Sequence, residues 1–331
     1  MKKLKSVGIV GLGSYLPEKV LTNKDLEKIV DTTDEWIKSR TGIEERRIAA
    51  KEEATSDLAI KAAKKALEDA NVSPEEIDLV IVSTITPDFA FPATAAIVQD
   101  KIGASNAAAF DLEAACTGFV YGLAVGGNFI ATGMYKKVLV IGSEALSRIM
   151  DWEDRNTCVL FGDGASAAVL GEVEDGYGLL SYDLGADGSG GHTLDQPGGG
   201  SRNPASDETV NKKMHYLRMK GKEVFKFAVT ALPKTTLKTL ENLNMTPDDV
   251  DLYVPHQANV RIIEAAAKKL KQPVSKFHMN MNKFGNTSSA SIGIALDELY
   301  KNDKLKKGDN IVLVGFGAGL TYGSCLIKWS K

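Results

Sequence analysis

The chain has 331 residues, 44% apolar and 25% charged, which suits about two domains, or one large double one, at ~150 residues each and excludes intrinsic disorder. Its 40 basic and 43 acidic side chains leave a formal charge of −3, so no global polycation exists for nucleic acid or an anionic membrane. Three scattered cysteines (Cys116, Cys158, Cys325) and four histidines (His192, His215, His256, His278) show neither a disulfide framework nor metal-ligand spacing.

In chain order, a lysine-rich start turns at once into the strand-like Val7-Gly8-Ile9-Val10. It lacks the apolar stretch and cleavage site of a signal peptide, so a cytoplasmic protein is expected. A helix over about 56–70 leads to residues 71–79, Asn-Val-Ser-Pro-Glu-Glu-Ile-Asp-Leu, and an apolar strand ending at Ser83. A strand near Ala107–Leu112 then runs into Cys116 and 22 consecutive uncharged residues, Ala114–Tyr135. That length could span a bilayer. Asn128, five glycines and closely bracketing charges favour a helix buried inside the protein instead. Gly118, Gly122 and Gly126 recur every four residues, sharing a helix face that lets another backbone approach. The strand Val138–Gly142 follows.

The order then repeats. After a helix over about 224–243, residues 244–252 read Asn-Met-Thr-Pro-Asp-Asp-Val-Asp-Leu and match 71–79 at an offset of 173. Hydroxyl, proline and acid at the same spacing make a capping-box start to a short helical turn in both. Next come a strand over Leu252–Pro255, a strand-like alternation over Phe277–Met281, and Gly285-Asn286. A small-residue helix over Ser288–Leu299 and the strand Ile311–Gly315 complete the pattern. Alternating strands and helices imply parallel sheets covered on both faces. The two halves, 1–172 and 173–331, would pack their small-residue helices together between two sheets. At this length the repeat points to duplication rather than a solenoid. The glycine-rich residues 185–215 interrupt it as a long loop or lid.

Three residues are candidates for chemistry. Cys116 stands where a strand meets the buried helix, and there free N–H groups and the helix dipole favour thiolate over thiol. His256 sits at the carboxyl end of Leu252–Pro255, where open α/β sheets collect their sites. Asn286, just before a helix, occupies a position typical of caps and turns. The duplication brings Cys116 and Asn286 to equivalent corners, with His256 at a neighbouring one. Two hydrogen-bond donors beside a thiol suit acyl transfer. Cys158 and Cys325 lie in strand-like runs and read as packing residues.

Several motifs then resemble one family. Ala114-Ala115-Cys116-Thr117-Gly118-Phe119, the run Val254–Arg261 (VPHQANVR), Lys283–Ser288 (KFGNTS) and Gly315–Gly319 (GFGAG) are similar to the signatures of β-ketoacyl-acyl-carrier-protein synthase III. Asp34-Glu35-Trp36, Arg40-Thr41-Gly42-Ile43 and Phe161-Gly162-Asp163-Gly164 extend the likeness over essentially the whole chain, in the same order. The resemblance implies a thiolase-like, duplicated αβαβα five-layer fold and a homodimer that starts type II fatty-acid synthesis. It implies that Cys116 takes an acyl group from acyl-CoA, a substrate rather than a cofactor. Malonyl-acyl-carrier protein would then enter, with His256 and Asn286 donating to its thioester oxygen as carbon dioxide leaves. The backbone N–H groups of Cys116 and Ala318 would form an oxyanion hole for acyl transfer.

By the same resemblance, Trp36 and Arg155 would sandwich the CoA adenine, with Arg40, Thr41, Gly221 and Asn259 also at the CoA site. Gln257, Ala258, Asn259, Val260, Arg261, Lys226, Lys268 and Lys269 would receive the acidic carrier protein. Arg261, Lys268 and Lys271 would share one helix face. Phe91 would line the acyl pocket across the dimer interface.

Cys, His and Asn also serve in papain-like hydrolases, although the papain-type cysteine signature is missing here. A CoA-binding scaffold with an inert thiol is a further alternative, and related synthases of polyketide or signalling products share the pattern. Primers that differ by a few methylenes, each worth ~1–3 kcal/mol in an apolar pocket, are not told apart by sequence.

Overall fold

The computed structural model describes residues 4–331. The first half runs β1 (Val7–Tyr15), β2 (Lys19–Thr22), α1 (Asn23–Leu26), α2 (Asp34–Thr41), β3 (Glu45–Ile48) and α3 (Thr55–Ala70). It continues with β4 (Leu79–Ser83), α4 (Thr94–Ile102), β5 (Ala108–Leu112), α5 (Gly118–Ala131), β6 (Val138–Glu144) and β7 (Gly164–Glu172). The second half opens with β8 (Gly178–Ala186), β9 (Leu194–Asp195), α6 (Asp207–Asn211), β10 (Arg218–Met219) and α7 (Gly221–Glu241). There follow β11 (Leu252–Pro255), α8 (Val260–Leu270), α9 (Met281–Phe284), α10 (Ser291–Lys301), β12 (Asn310–Gly317) and β13 (Thr321–Lys328).

Two main sheets form, in the orders β1-β7-β6-β4-β5 and β8-β13-β12-β11, beside two small two-stranded ones, β2-β3 and β9-β10. The expectation of parallel sheets needs correction, because both main sheets are mixed. β4 pairs in parallel with β5 and β6, and β11 with β12, while the β1–β7, β6–β7, β12–β13 and β13–β8 pairs are antiparallel. Only strands joined through a crossover helix run parallel. β12 returns directly into β13, which antiparallel pairing alone allows.

The predicted strand over Phe277–Met281 shrinks to a single parallel bridge between Phe277 and Tyr253, whose rings stack at 4.4 Å. The Gln257 amide takes over as ladder partner, donating to the His278 carbonyl and accepting from the Asn280 N–H. The chain then turns into α9.

Side-chain alternation sorts the core into layers. Leu79 and Ile81 of β4, and Val138 and Val140 of β6, face a middle layer of α5 and α10, as do Ile311 and Leu313 of β12. Val80, Val82, Leu139 and Ile141 face the opposite way, against α3 and α4. Val312 and Val314 face α7 and α8. Five layers result, α-β-α-β-α, with one middle layer shared by both halves. Sequence and structure agree on this thiolase-like architecture.

The α5 glycines meet strands rather than another helix. A Cβ at Gly118 would come 2.7 Å from Ser83 Cβ, and one at Gly122 2.7 Å from Val140 Cγ1. This close seating explains why an uncharged helix lies in the interior. Among the described residues, no helix is long and apolar enough to cross a membrane.

The offset of 173 persists into the backbone. Both capping boxes form, with Ser73 N–H on Glu76 at 2.9 Å and Thr246 N–H on Asp249 at 2.8 Å. The turn Ala115–Thr117 before α5 matches Ser288–Ala290 before α10, and each begins with a left-handed, non-glycine residue, Ala115 at φ 46° and Ser288 at φ 48°.

Candidate active site

Cys116 lies in the turn between β5 and α5, 6% exposed, with its Sγ–H donating to Ser288 Oγ at 3.4 Å. Burial pushes the thiol up to about 12, and the Glu144 carboxyl adds to the rise. Burial thus works against the pull towards thiolate expected at the helix start. The dipole at the start of α5 acts over its first turn, while the cost of a charge in a closed apolar site falls on the thiolate in full.

His256 follows β11, its N–H held by the Val314 carbonyl at 2.8 Å. Burial drives its imidazole down to about 3, so the ring is neutral at working pH. Nδ1 lies 2.7 Å from Ser291 Oγ, which also accepts from the Gln257 N–H. The serine proton can thus go to Nδ1, leaving Nε2–H as a donor. Asn286 is pinned by a bridge to Phe161, with its N–H on the Leu160 carbonyl at 2.9 Å. Its Oδ1 accepts the Ser288 N–H at 2.8 Å, which turns the amide Nδ2 into the available donor.

All three side chains line one cavity of about 150 Å³, closed by Phe161, Leu194 and Phe316. Cys116, Phe161 and Leu194 also border a larger cavity of about 890 Å³, walled by residues from Thr84 to Ala90 and by Ala318. The predicted loop over 185–215 is ordered as part of that wall, through Gly191, Leu194–Gln196 and Gly198–Gly200. Gly317 matters by its missing side chain, because a Cβ there would come 2.6 Å from Cys116 N.

The predicted peripheral residues divide. Gly221 and Asn259 line the smaller cavity, and Asn259 donates to the Arg40 carbonyl at 3.0 Å, joining α2 to the start of α8. The Trp36 ring, 36% exposed, has the Arg40 and Arg155 guanidinium groups 5.8 and 5.7 Å from its centroid. Thr41 is buried and its hydroxyl donates to the Ile37 carbonyl, so it faces the protein rather than the cavity mouth.

Gln257 is corrected as a surface contact. It is 1% exposed and its amide is committed to Pro255, His278 and Asn280. Ala258 and Val260 are half-buried, and Arg261, Lys226 and Lys268 are exposed. Lys269 is exposed but its Nζ bonds the Val229 carbonyl of α7 at 2.9 Å. Lys271 leaves the shared face as the left-handed cap of α8. Phe91 is 86% exposed and Phe89 59%; only Phe89 borders this chain's own large cavity.

Cys325 packs in β13 as expected, but Cys158 is buried in a turn before Phe161 rather than in a strand. Ser288, Ser291 and Glu144 were not singled out in the sequence. Serines in a small-residue run read as caps or spacers, and nothing local marks Glu144 as buried.

A buried thiol flanked by neutral donors, on a duplicated five-layer fold, defines a thiolase-like acyl-transferring condensing enzyme. Residues 110–188 match the family described as 3-oxoacyl-[acyl-carrier-protein (ACP)] synthase III, and residues 240–329 match its C-terminal region. The β-ketoacyl-[acyl-carrier-protein] synthase III of Caldanaerobacter subterraneus subsp. tengcongensis is 61% identical over 326 residues, 98% of either chain. The crystal structure of 3-oxoacyl-[acyl-carrier-protein] synthase III from Aquifex aeolicus VF5 superposes with a TM-score of 0.90 at 50% identity, covering 98% of this chain and 100% of that one. A priming β-ketosynthase from the R1128 polyketide pathway reaches a TM-score of 0.91 at 36% identity, with 99% and 97% covered. The chain belongs to the β-ketoacyl-acyl-carrier-protein synthase III family, the condensing enzymes that initiate fatty-acid synthesis.

Proposed function

We propose that this enzyme joins an acyl-CoA primer, acetyl-CoA or a short or branched acyl-CoA, to malonyl-acyl-carrier protein through an acyl-Cys116 intermediate. The products are 3-oxoacyl-acyl-carrier protein, CoA and carbon dioxide. In the first half-reaction Cys116 displaces CoA, with the N–H groups of Cys116 and Ala318 receiving the oxyanion. In the second, carbon dioxide leaves the malonyl group and the electron pair of the broken bond forms an enolate. His256 Nε2–H and Asn286 Nδ2–H donate to its oxygen. The enolate carbon bonds the acyl carbon, and Cys116 Sγ leaves as thiolate and regains a proton from solvent.

The observation that carries this reading is the convergence of one thiol and two neutral donors on a single apolar cavity. Decarboxylation generates its own carbanion, so the site needs enolate stabilisation rather than a strong base. A papain-like role would need His256 as a cation partner to the thiol, and an imidazole driven down to about 3 does not suit that.

CoA is assigned to the mouth formed by Trp36, Arg40, Thr41 (through its backbone), Arg155, Gly221 and Asn259. The carrier protein is assigned to Lys226, Ala258, Val260, Arg261, Lys268 and Lys269 around α8. Phe91, exposed and outside the lining of both cavities, is assigned to the large cavity of a second copy in a cytoplasmic homodimer. No cofactor takes part.

One assay tests the reading. The protein is incubated with a panel of acyl-CoA primers, with and without malonyl-carrier protein, and analysed by mass spectrometry. One acyl mass on Cys116, lost in Cys116→Ala, and a 3-oxoacyl product are expected. Acylation at Cys158 or Cys325 would overturn the assignment.

A further inference from the structure

Among the described residues one basic side chain is fully buried, that of Arg46 on β3, and none of the roles above uses it. Its Nη1 donates to the Leu21 carbonyl at 3.1 Å and to Asn23 Oδ1 at 2.9 Å. Its Nη2 donates to the same Asn23 Oδ1 at 3.0 Å and to the Val159 carbonyl at 2.8 Å. The four terminal N–H groups are thus all spent, each on a neutral acceptor, and Nε alone has no partner. A buried charge without a carboxylate is costly even when hydrogen-bonded, so what Arg46 supplies is geometry. Its planar fork holds three segments at once: β2 through Leu21, the start of α1 through Asn23, and the turn before Phe161 through Val159.

That turn carries Asn286. The Leu160 carbonyl, next in the chain after Val159, accepts the Asn286 N–H at 2.9 Å, and the Gly162 N–H returns to the Asn286 carbonyl at 3.0 Å. Both strands of this bridge lie on the Arg46 stem. A Cβ at Gly162 would come 2.9 Å from Arg46 Cβ, and one at Gly285 would come 3.1 Å from it. Arg46 itself lines neither cavity.

We propose that Arg46 is a positioning residue for condensation. Its fork on the Val159 carbonyl and its stem beneath Gly162 and Gly285 set where Asn286 presents its amide to the enolate oxygen. This inference rests on the proposed role of Asn286 as an enolate donor. The nucleophile stands apart from this support: Cys116 and Ala318, which receive the first oxyanion, lie on segments that Arg46 does not bond.

The fork also reaches the CoA mouth. Asn23 Nδ2 donates to Asp34 Oδ1, in the first residue of α2, at 2.9 Å and to the Ile43 carbonyl just beyond that helix at 2.8 Å. Acylation is therefore compared at saturating acyl-CoA, where a weakened mouth does not limit the rate. Lysine keeps the charge of Arg46 but concentrates it at one point, so it reaches Asn23 or the Val159 carbonyl without holding both.

The test separates the two half-reactions on the full chain. Rapid-quench mass spectrometry follows acyl-Cys116 formation. A second assay adds malonyl-acyl-carrier protein to preformed acyl-enzyme and follows carbon dioxide and the 3-oxoacyl product. Arg46→Lys should slow the second step by about 10–100-fold, the scale of a donor displaced by up to an ångström, and leave the first within about threefold. Because Arg46 acts through Asn286, Arg46→Lys combined with Asn286→Ala should condense no more slowly than Asn286→Ala alone, whereas a general structural role would multiply the two losses. Gly162→Ala, at a backbone position that is not left-handed, pushes the same bridge off the Arg46 stem and should show the same selective loss even if Arg46→Lys folds poorly.

Equal losses in both half-reactions, multiplied losses in the double variant, or a condensation step within about twofold of wild type in either single variant would overturn the positioning role. Undiminished condensation by Asn286→Ala alone would instead overturn the enolate-donor assignment beneath it. Absence of acyl-Cys116 in the wild-type protein would overturn the proposed function, and the positioning role with it.

Discussion

The corner before α5 and the corner before α10 share a backbone and differ in what fills it. Across the offset of 173, Cys116 corresponds to Ser289, His256 to Ser83, Gly317 to Glu144 and Gly315 to Gly142. The correspondence is physical as well as sequential. A Cβ on Gly315 would come 3.3 Å from the Cys116 carbonyl, and a Cβ on Gly142 would strike the Ser289 carbonyl. Yet Cys116 lines two cavities, while Ser289 lines neither and spends its hydroxyl on the Ser83 carbonyl and Glu144. Where one corner has a glycine and open space, the other has a carboxyl side chain that fills and bonds it. Duplication supplied two frames, and side-chain volume leaves one of them open to a cavity and fills the other.

Removing the histidine side chain of one corner and the serine hydroxyl of the other tests this most severely. His256→Ala should lower malonyl-dependent condensation by about 100–1,000-fold, the cost of one enolate donor, and still accept acyl groups. Ser83→Ala removes a buried bond to the Gly118 carbonyl, so it should cost about 1 kcal/mol of stability and leave condensation nearly intact. Steady-state kinetics and urea titrations of both variants decide it. Equal kinetic losses would mean the corners are functionally alike.

Gly317→Ala sharpens the difference in volume. Its new Cβ would crowd Cys116 N at 2.6 Å, and acyl-Cys116 formation should slow by about 100-fold, the effect of displacing a reacting group by an ångström. Rapid-quench mass spectrometry reads this step alone. An unchanged rate would remove the Cys116 N–H from the oxyanion hole.

The active corner should also carry an acid sensitivity that its counterpart lacks. His256 has a folded pKa of about 3 against 6.5 unfolded, so the unfolded chain binds the extra proton between those values. Its contribution to stability is present above pH 6.5 and declines as pH falls towards 3. Between pH 7 and 4.5 the loss from this residue should be on the order of 2 kcal/mol. His256→Gln should flatten that part of the urea-midpoint profile, and an unaltered slope would contradict a buried neutral imidazole.

The smallest effect lies at the rim. Arg261→Glu should raise the KM for malonyl-carrier protein a few-fold at low salt, fading as the Debye length falls from ~8 Å at physiological ionic strength towards ~3 Å at 1 M. Acylation from acyl-CoA should be spared. No change at low salt would move the docking face elsewhere.

Much of this was legible along the chain. The paired capping boxes announced the duplication because local hydrogen bonds read only a few neighbours, and both formed as expected. Short continuous apolar runs located β4, β6, β11 and β12. The Phe277–Met281 strand misled because alternation cannot reveal that a buried glutamine side chain will serve as the ladder's partner. The helix start announced only one of the forces on Cys116, since position there is local but desolvation depends on every group that encloses the thiol.

Sequence alone thus carried the duplicated frame and the central small-residue helices, written in short-range spacing and composition, and its resemblance to the family singled out Cys116, His256 and Asn286 as candidates. Tertiary structure alone decided that burial pushes the Cys116 thiol up and the His256 imidazole down, disfavouring the charged form of each. It also decided that Ser288 and Ser291 orient these groups, and that Glu144 stands behind them. Those properties arise from contacts between residues as far apart as Glu144 and Ser289, where burial and hydrogen-bond partners are set by packing and no local signal exists.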